Sequence, residues 1–151
     1  MDRIEKVVFM NMCMVYEGTK VLVIDRCKSD WQGITFPGGH VEKNESFVDS
    51  VVREIKEETG LDIQNPLLCG IVSWYNKEKD VRNLVYLYKT DSFSGTLVSS
   101  DEGKVWWEEI HNLLNLNLTS GMSEYLKVFL DNSLSELHFQ IVNGEWISNV
   151  K

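Results

Sequence analysis

No pair of cysteines stands at C-x-x-C spacing in this chain, no run of lysine or arginine concentrates positive charge, and no stretch stays apolar long enough to cross a membrane. Each absence removes a class of protein. Cys13, Cys27 and Cys69 are three in number and widely spaced, so neither a disulfide framework nor a zinc knuckle is expected; reduced, mostly buried thiols are. The 23 Asp and Glu outweigh the 15 Lys and Arg, for a net charge of −8. That charge repels polyanions, and without a basic cluster to oppose it long nucleic acid is not an expected partner. A small phosphorylated ligand remains compatible, because a bound cation inverts the local field. The opening residues Met1-Asp2-Arg3-Ile4-Glu5-Lys6 are charged and lead into no signal-peptide core, so no membrane association is expected and a cytoplasmic location is. Internal repeats, low-complexity linkers and domain boundaries are missing too.

What is present is a chain of 151 residues, 43% hydrophobic and 25% charged, an ordinary soluble composition with apolar material for one core. Residues 1–151 read as a single domain. Residues 7–16 are apolar and β-compatible, Glu17-Gly18-Thr19 makes a turn, and Val21-Leu22-Val23-Ile24 follows, which predicts a hairpin of well-buried strands. Met10, Met12 and Met14 alternate along the first strand and define a buried face. Residues 67–75 and 84–89 read as strands around a charged turn at 76–80, and Val105-Trp106-Trp107 as a strand entering a helical turn at 108–114. Met122, Tyr125, Leu126 and Phe129 recur at helical spacing within residues 120–130, an amphipathic helix. Asn143-Gly144, between apolar runs at 137–142 and 145–147, predicts a C-terminal hairpin. The class is α/β, a sheet covered by helices.

Chemistry concentrates in the helix predicted from Ser46 to about Thr59. Ser46 stands at its N-cap, with Asp49 three residues on in a shortened capping box, and Gly60 closes it as a left-handed cap. At about 100° per residue, Phe47, Val48, Val51, Val52 and Ile55 make an apolar stripe facing the core. Glu54, Glu57 and Glu58 share an arc roughly 100° wide beside that stripe. Such carboxylates repel by about 0.2–0.5 kcal/mol per exposed pair, more when desolvated, and the helix dipole disfavours negative charge at this end. Helix surfaces often carry solvated acidic faces, yet local stability gives no reason for this cluster. A divalent cation does: oxygen donors without His or Cys suit Mg²⁺ or Mn²⁺. Gly38-Gly39 ahead of the helix permits close approach of backbone to a ligand, and a carbonyl there would add an oxygen donor. Arg53 can hold carboxylates in a fixed fork.

Together these residues resemble the Nudix box, G-x5-E-x7-R-E-U-x-E-E-x-G-U, with U a bulky aliphatic residue. Gly39, Glu45, Arg53, Glu54, Ile55, Glu57, Glu58, Gly60 and Leu61 fill its fixed positions. The lead-in Phe36-Pro37-Gly38-Gly39-His40-Val41-Glu42 is similar to that family too. The resemblance implies a Nudix-type α/β/α sandwich with a mixed sheet, and hydrolysis of a nucleoside diphosphate linked to another group with Mg²⁺, or Mn²⁺, as cofactor. Carried over residue by residue, it implies Glu54, Glu57 and Glu58 as metal ligands and the Gly39 carbonyl as a further one. Arg53 and Glu45 would orient those carboxylates. Family members often carry another acid in a loop ahead of a Trp-containing strand. Ser100-Asp101-Glu102-Gly103 before Trp106 resembles that arrangement, with Glu102 first and Asp101 second as an extra ligand or base; Glu-Gly also makes turns of itself. A metal ion neutralises anhydride charge and lowers the pKa of bound water, and a carboxylate removes the proton. Glu54 and Glu102 both stand as candidates for that base.

Within the family, the chain's size and Phe-Pro-Gly-Gly lead-in resemble the MutT group, which acts on oxidised nucleoside triphosphates such as 8-oxo-dGTP. The implied reaction gives a monophosphate plus pyrophosphate. ADP-ribose, dinucleoside polyphosphates and nucleotide sugars are the alternative substrates, and a non-catalytic nucleotide-sensing module is the alternative of another class. The expected partner is a small nucleotide, with a homodimer left open. For substrate contacts, Arg26 and Lys28 are candidates for phosphate, and Trp31, Phe36, Trp74 and Tyr75 for stacking on a purine, although such aromatics usually pack in cores. Asn115 and Asn117 are candidates for a base edge. Arg26, Phe36 and Asn117 lead this set. His40, His111 and His138 have no partner at metal-ligand spacing and are assigned no catalytic role.

Overall fold

The computed structural model describes residues 2–151; Met1, in the charged N-terminal stretch, lies outside them. In chain order the strands and helices are β1 (Val7–Glu17), β2 (Lys20–Arg26), β3 (Gly33–Thr35), β4 (Gly38–His40), α1 (Phe47–Thr59), β5 (Leu61–Gln64), β6 (Leu67–Asn76), β7 (Val81–Thr90), β8 (Ser92–Gly95), β9 (Gly103–Glu109), α2 (Met122–Leu130), β10 (Glu136–Val142) and β11 (Glu145–Val150), with a 3₁₀ turn over Ile110–Asn115. The expected strands, both helices and the C-terminal hairpin are all present. The helical turn begins later than expected, because Glu108 and Glu109 continue the pairing of β9 with β2. The short pair β5–β8 was not anticipated: β5 alternates Leu61-Asp62-Ile63-Gln64 over only four residues and β8 is Ser92-Phe93-Ser94-Gly95, too short and too weakly apolar to stand out as strands.

Among the described residues the large sheet runs β11-β10-β6-β7-β1-β2-β3, with β4 also on β1 and β9 also on β2. It is mixed: β1–β7 and β10–β6 are parallel and the other pairs antiparallel. The predicted β1–β2 hairpin exists only at its tip, through Tyr16↔Val21 and Glu17↔Lys20. Beyond the tip the strands part. A strand has two edges, and β1 gives one to β7 and, over Met10–Met12, the other to β4, while β2 pairs with β9 and β3. The parting curls the sheet, and α1 lies across one face of β1 and β2.

Both faces of the sheet are buried. Met12 and Met14 join Val21, Val23, Phe36, Val72, Val85 and Leu87 beneath Met122, Tyr125, Leu126 and Phe129 of α2. From the opposite face of the same strands, Cys13, Val15, Leu22 and Ile24 pack against Val51 and Ile55 of α1. The methionine face is buried as expected, but the face between is buried as well, which gives the α/β/α sandwich. Not all of the predicted α1 stripe reaches the core: Phe47 and Val48 are 36% and 44% exposed. The first turn of α1 stands at the rim, where Phe47 packs on Tyr86 and Phe9 at centroid distances of 4.3 and 5.4 Å. Among the described residues, no helix is long and apolar enough to cross a membrane.

Candidate active site

α1 starts where Ser46 accepts a hydrogen bond from the Asp49 amide (2.9 Å) and ends where Gly60, at φ 80, donates back to the Lys56 carbonyl. Those limits put Glu54, Glu57 and Glu58 in its last two turns, against β4. β4 is held flat on β1 by the pairs Met12↔Gly38, Asn11↔Gly39 and Met10↔His40. A side chain at Gly39 would collide with the Glu54 carboxylate, and one at Gly38 with the Asn11 carbonyl. Backbone against backbone therefore requires glycine at Gly38, whereas a side chain at Gly39 would push the Glu54 carboxylate aside.

Arg53 organises the helix face. Its Nε and Nη2 donate to the two Glu45 oxygens (2.7 and 3.0 Å), its Nη1 to Glu54 (3.0 Å) and Glu57 (3.2 Å), and its Nη2 also to the His40 carbonyl (3.0 Å). One planar guanidinium thus joins the loop before the helix, β4 and two of the three clustered carboxylates. The Arg53 hydrogen bonds, with one from the Glu42 amide, pull the Glu45 carboxyl down to about 2. Burial pushes the Glu54 carboxyl up against the opposing pull of Arg53. Glu58 is the most perturbed of the three. It is 5% exposed, and burial, with the charges of Glu54 and Glu102 added, pushes it up to about 8. The Gly38 amide, which donates to it at 3.3 Å, and Arg26 work in the other direction.

The trio is less of a unit than the helical arc suggests. Glu57 is turned outward, its side chain 58% exposed, and among the described residues no three His, Cys, Asp or Glu groups converge as a ready-made metal group. The reason is Arg53, which draws Glu54 and Glu57 toward itself. What fits a hard divalent cation is the donor chemistry: oxygen atoms only, a backbone kept free of side chains beside Glu54, and Glu58 carrying a burial cost that a cation would offset.

Glu102 comes to this region from far along the chain. Its charge is felt by Glu58, and its carboxylate pairs with Lys28 at 2.7 Å. It also sits in a tight turn, its amide bonded to Ser100 Oγ at 3.2 Å and Ser100 bridged to Gly103. Asp101 is exposed in the same turn. Arg26 ends β2, its Nε donating to the Trp31 carbonyl (2.9 Å) and its guanidinium 5.4 Å from the Trp31 ring.

Of the leading substrate candidates, Phe36 departs from expectation and Asn117 does not. Phe36 is 2% exposed and meets Phe129 edge-on at 5.0 Å; a ring enclosed by the core has no face to offer a base, so its assignment to substrate is corrected to core packing. Asn117 leaves its side chain exposed, while its carbonyl accepts from the Ile34 amide at 2.8 Å and so stitches β3 to the segment before α2. Trp74 and Tyr75 line a cleft of about 750 Å³ with Phe139 and Trp146 at the far edge of the sheet, and none of the box carboxylates lines it.

Asn11 is a residue that motif reasoning missed. Buried at 4% exposure, its Oδ1 accepts from the Gly39 amide (3.2 Å) and its Nδ2 donates to Ser50 Oγ (2.9 Å), which in turn donates to the Phe47 carbonyl (2.8 Å). This chain ties the glycine strand to the helix. Its only signal in the sequence is an amide amid apolar residues of β1.

The family model described as the NUDIX domain matches residues 9–129, and the chain belongs to the Nudix family of hydrolases. It is 35% identical over 113 residues to the Nudix hydrolase YvcI of Bacillus subtilis (strain 168), covering 72% of this chain and 70% of that one. It is 33% identical over 92 residues to an ADP-ribose pyrophosphatase of Methanocaldococcus jannaschii, covering 60% of this chain and 54% of that one. Its fold superposes on a MutT protein from Bacillus halodurans with a TM-score of 0.77 at 27% identity, over 95% of this chain and 97% of the other.

Proposed function

We propose that this Nudix hydrolase uses Mg²⁺, with Mn²⁺ as a substitute, to split the pyrophosphate bond of a nucleoside triphosphate bearing an oxidised base, releasing the monophosphate and pyrophosphate. The observation that carries the metal is Glu58, a carboxylate only 5% exposed that accepts from the Gly38 amide at 3.3 Å on the helix face it shares with Glu54. Glu54, Glu57, Glu58 and the Gly39 carbonyl would hold the ion, which when bound supplies charge neutralisation of the anhydride and acidification of water. Arg53 fixes where the Glu54 carboxylate points and tethers Glu57 beside it, and ion binding would turn Glu57 inward. Glu54, whose burial pushes it up against the pull of Arg53, would take the proton of the attacking water, with Glu102 as the alternative base. Arg26 and Lys28 would meet phosphate oxygens. The reading carries with it a cytoplasmic setting, where free nucleotides and reduced thiols belong.

The triphosphate reading is favoured by the near full-length superposition on the MutT protein. A second reading, ADP-ribose as substrate, is favoured by the archaeal relative named for that activity, of whose length this chain spans about half. A hydrolysis panel with and without Mg²⁺ separates them: 8-oxo-dGTP, ordinary dNTPs, ADP-ribose, dinucleoside polyphosphates and nucleotide sugars. We expect Mg²⁺-dependent release of pyrophosphate from 8-oxo-dGTP. Faster turnover of ADP-ribose would replace the first reading with the second, and activity left intact by Glu57→Gln and Glu58→Gln would overturn the ligand assignment.

A further inference from the structure

β11 is the outer edge of the large sheet, and its free side matches a copy of itself. Lys151 donates to the Glu136 carbonyl (2.8 Å) and Glu136 to the Lys151 carbonyl (2.9 Å), and the ladder continues without a bulge through Leu137↔Val150 to Val142↔Glu145. Those bonds set the parity of the strand. The backbone groups of Glu145, Ile147, Asn149 and Lys151 face β10, and those of Trp146, Ser148 and Val150 face outward.

An antiparallel copy related by a two-fold axis at Ser148 brings Ser148 opposite its own counterpart, Trp146 opposite Val150, and Glu145 opposite Lys151. The outward N–H and C=O groups of Trp146, Ser148 and Val150 then pair as that parity requires. A one-residue slip breaks the parity, and a two-residue slip keeps it but separates Glu145 from Lys151. Charge complementarity thus selects the register that also overlaps the strands most fully. Within one chain Glu145 and Lys151 are six strand residues apart, about 20 Å, so they cannot neutralise each other there. The strand has no proline or bulge to blunt its edge, and it exposes Trp146 at 57% and Ile147 at 43%. Phe139 and Trp74 hold the Trp146 ring edge-on at 5.9 and 6.5 Å, in position to lie beside Val150 of the second copy as an aromatic–β-branched cross-strand pair.

We infer that the chain forms a two-fold dimer through antiparallel pairing of β11, with one sheet continuous across both copies. Sedimentation velocity of the full chain across the micromolar range tests this. The wild type should show a concentration-dependent monomer–dimer equilibrium. E145K and K151E should each weaken it by about three- to tenfold, because each sets two like-charge pairs across the interface; the E145K/K151E double variant should restore it, and added salt should narrow these differences. S148P removes an outward N–H without touching the β10–β11 ladder and should leave monomers. Far-UV circular dichroism checks that each variant is folded, and if S148P is not, the charge-reversal cycle decides. A wild type that stays monomeric, a dimer indifferent to the single reversals, or reversals that the double variant fails to rescue would each overturn the inference.

Discussion

Single residues in the box are constrained by one another. A methyl group at Gly39 would take the space that the Glu54 carboxylate occupies. Gly39→Ala should therefore displace the carboxylate and cut Mg²⁺-dependent turnover at least tenfold while circular dichroism stays native; unchanged turnover would show that Glu54 need not stand there. Glu58 makes a prediction about pH. Its folded-state pKa of about 8 lies above the ordinary 4.5, so the metal-free folded chain holds a proton that the unfolded chain releases. That stabilisation is complete below about 4.5 and is lost as pH rises through about 8. The Tm of metal-free protein should fall across this window, and Mg²⁺ should restore more at its alkaline end; the fall should shrink in Glu58→Gln, leaving the smaller part owed to Glu54, and an undiminished fall there would assign it to another group. Asn11 shows where the sequence was silent. Its partners Gly39 and Ser50 lie 28 and 39 positions away, and no local pattern marks such a pair. Asn11→Ala leaves the Gly39 amide and the Ser50 hydroxyl without it, a cost of about 1–3 kcal/mol that thermal unfolding would register.

At the scale of elements, α1 was the most legible part of the chain because its ends are chemically marked. Ser46 caps it as expected, and Gly60 adopts the left-handed conformation a C-cap needs. A Cβ at Gly60 would lie 2.6 Å from the Thr96 carbonyl, so Gly60→Ala pays both backbone strain, about 1–2 kcal/mol, and a clash. We expect a Tm lower by several degrees with the metal requirement unchanged; a Tm equal to wild type would mean that the loop around Thr96 yields freely. The hairpin of β10 and β11 was equally legible, since Asn143 and Gly144 adopt φ of 51° and 79° as a type I′ turn demands. The β1–β2 hairpin was legible only at its turn. Which strands β1 would take along its length depended on β7 and β4, and pairing between segments so far apart leaves no mark in local periodicity.

Over the whole molecule, two apolar layers hold the sheet between α1 and α2, and the layer under α2 contains Phe36 and Phe129. Phe129→Ala should cost about 3–5 kcal/mol, read as a lower midpoint in urea. Phe36→Ala should behave in the same way, lowering stability before it changes KM; a variant of wild-type stability with a raised KM would return Phe36 to the substrate. By itself the sequence determined the class of fold, the limits of α1, the spacing of Glu54, Glu57 and Glu58, and the membership of the box, because helical periodicity and capping act over a few residues and are written locally. Tertiary structure alone decided that Glu58 is buried while Glu57 faces solvent, that Arg53 gathers Glu45, Glu54 and Glu57, that Glu102 comes near Glu58, and that Phe36 is core. These are outcomes of desolvation and of contacts between distant strands, and both exist only once the sheet has closed around them.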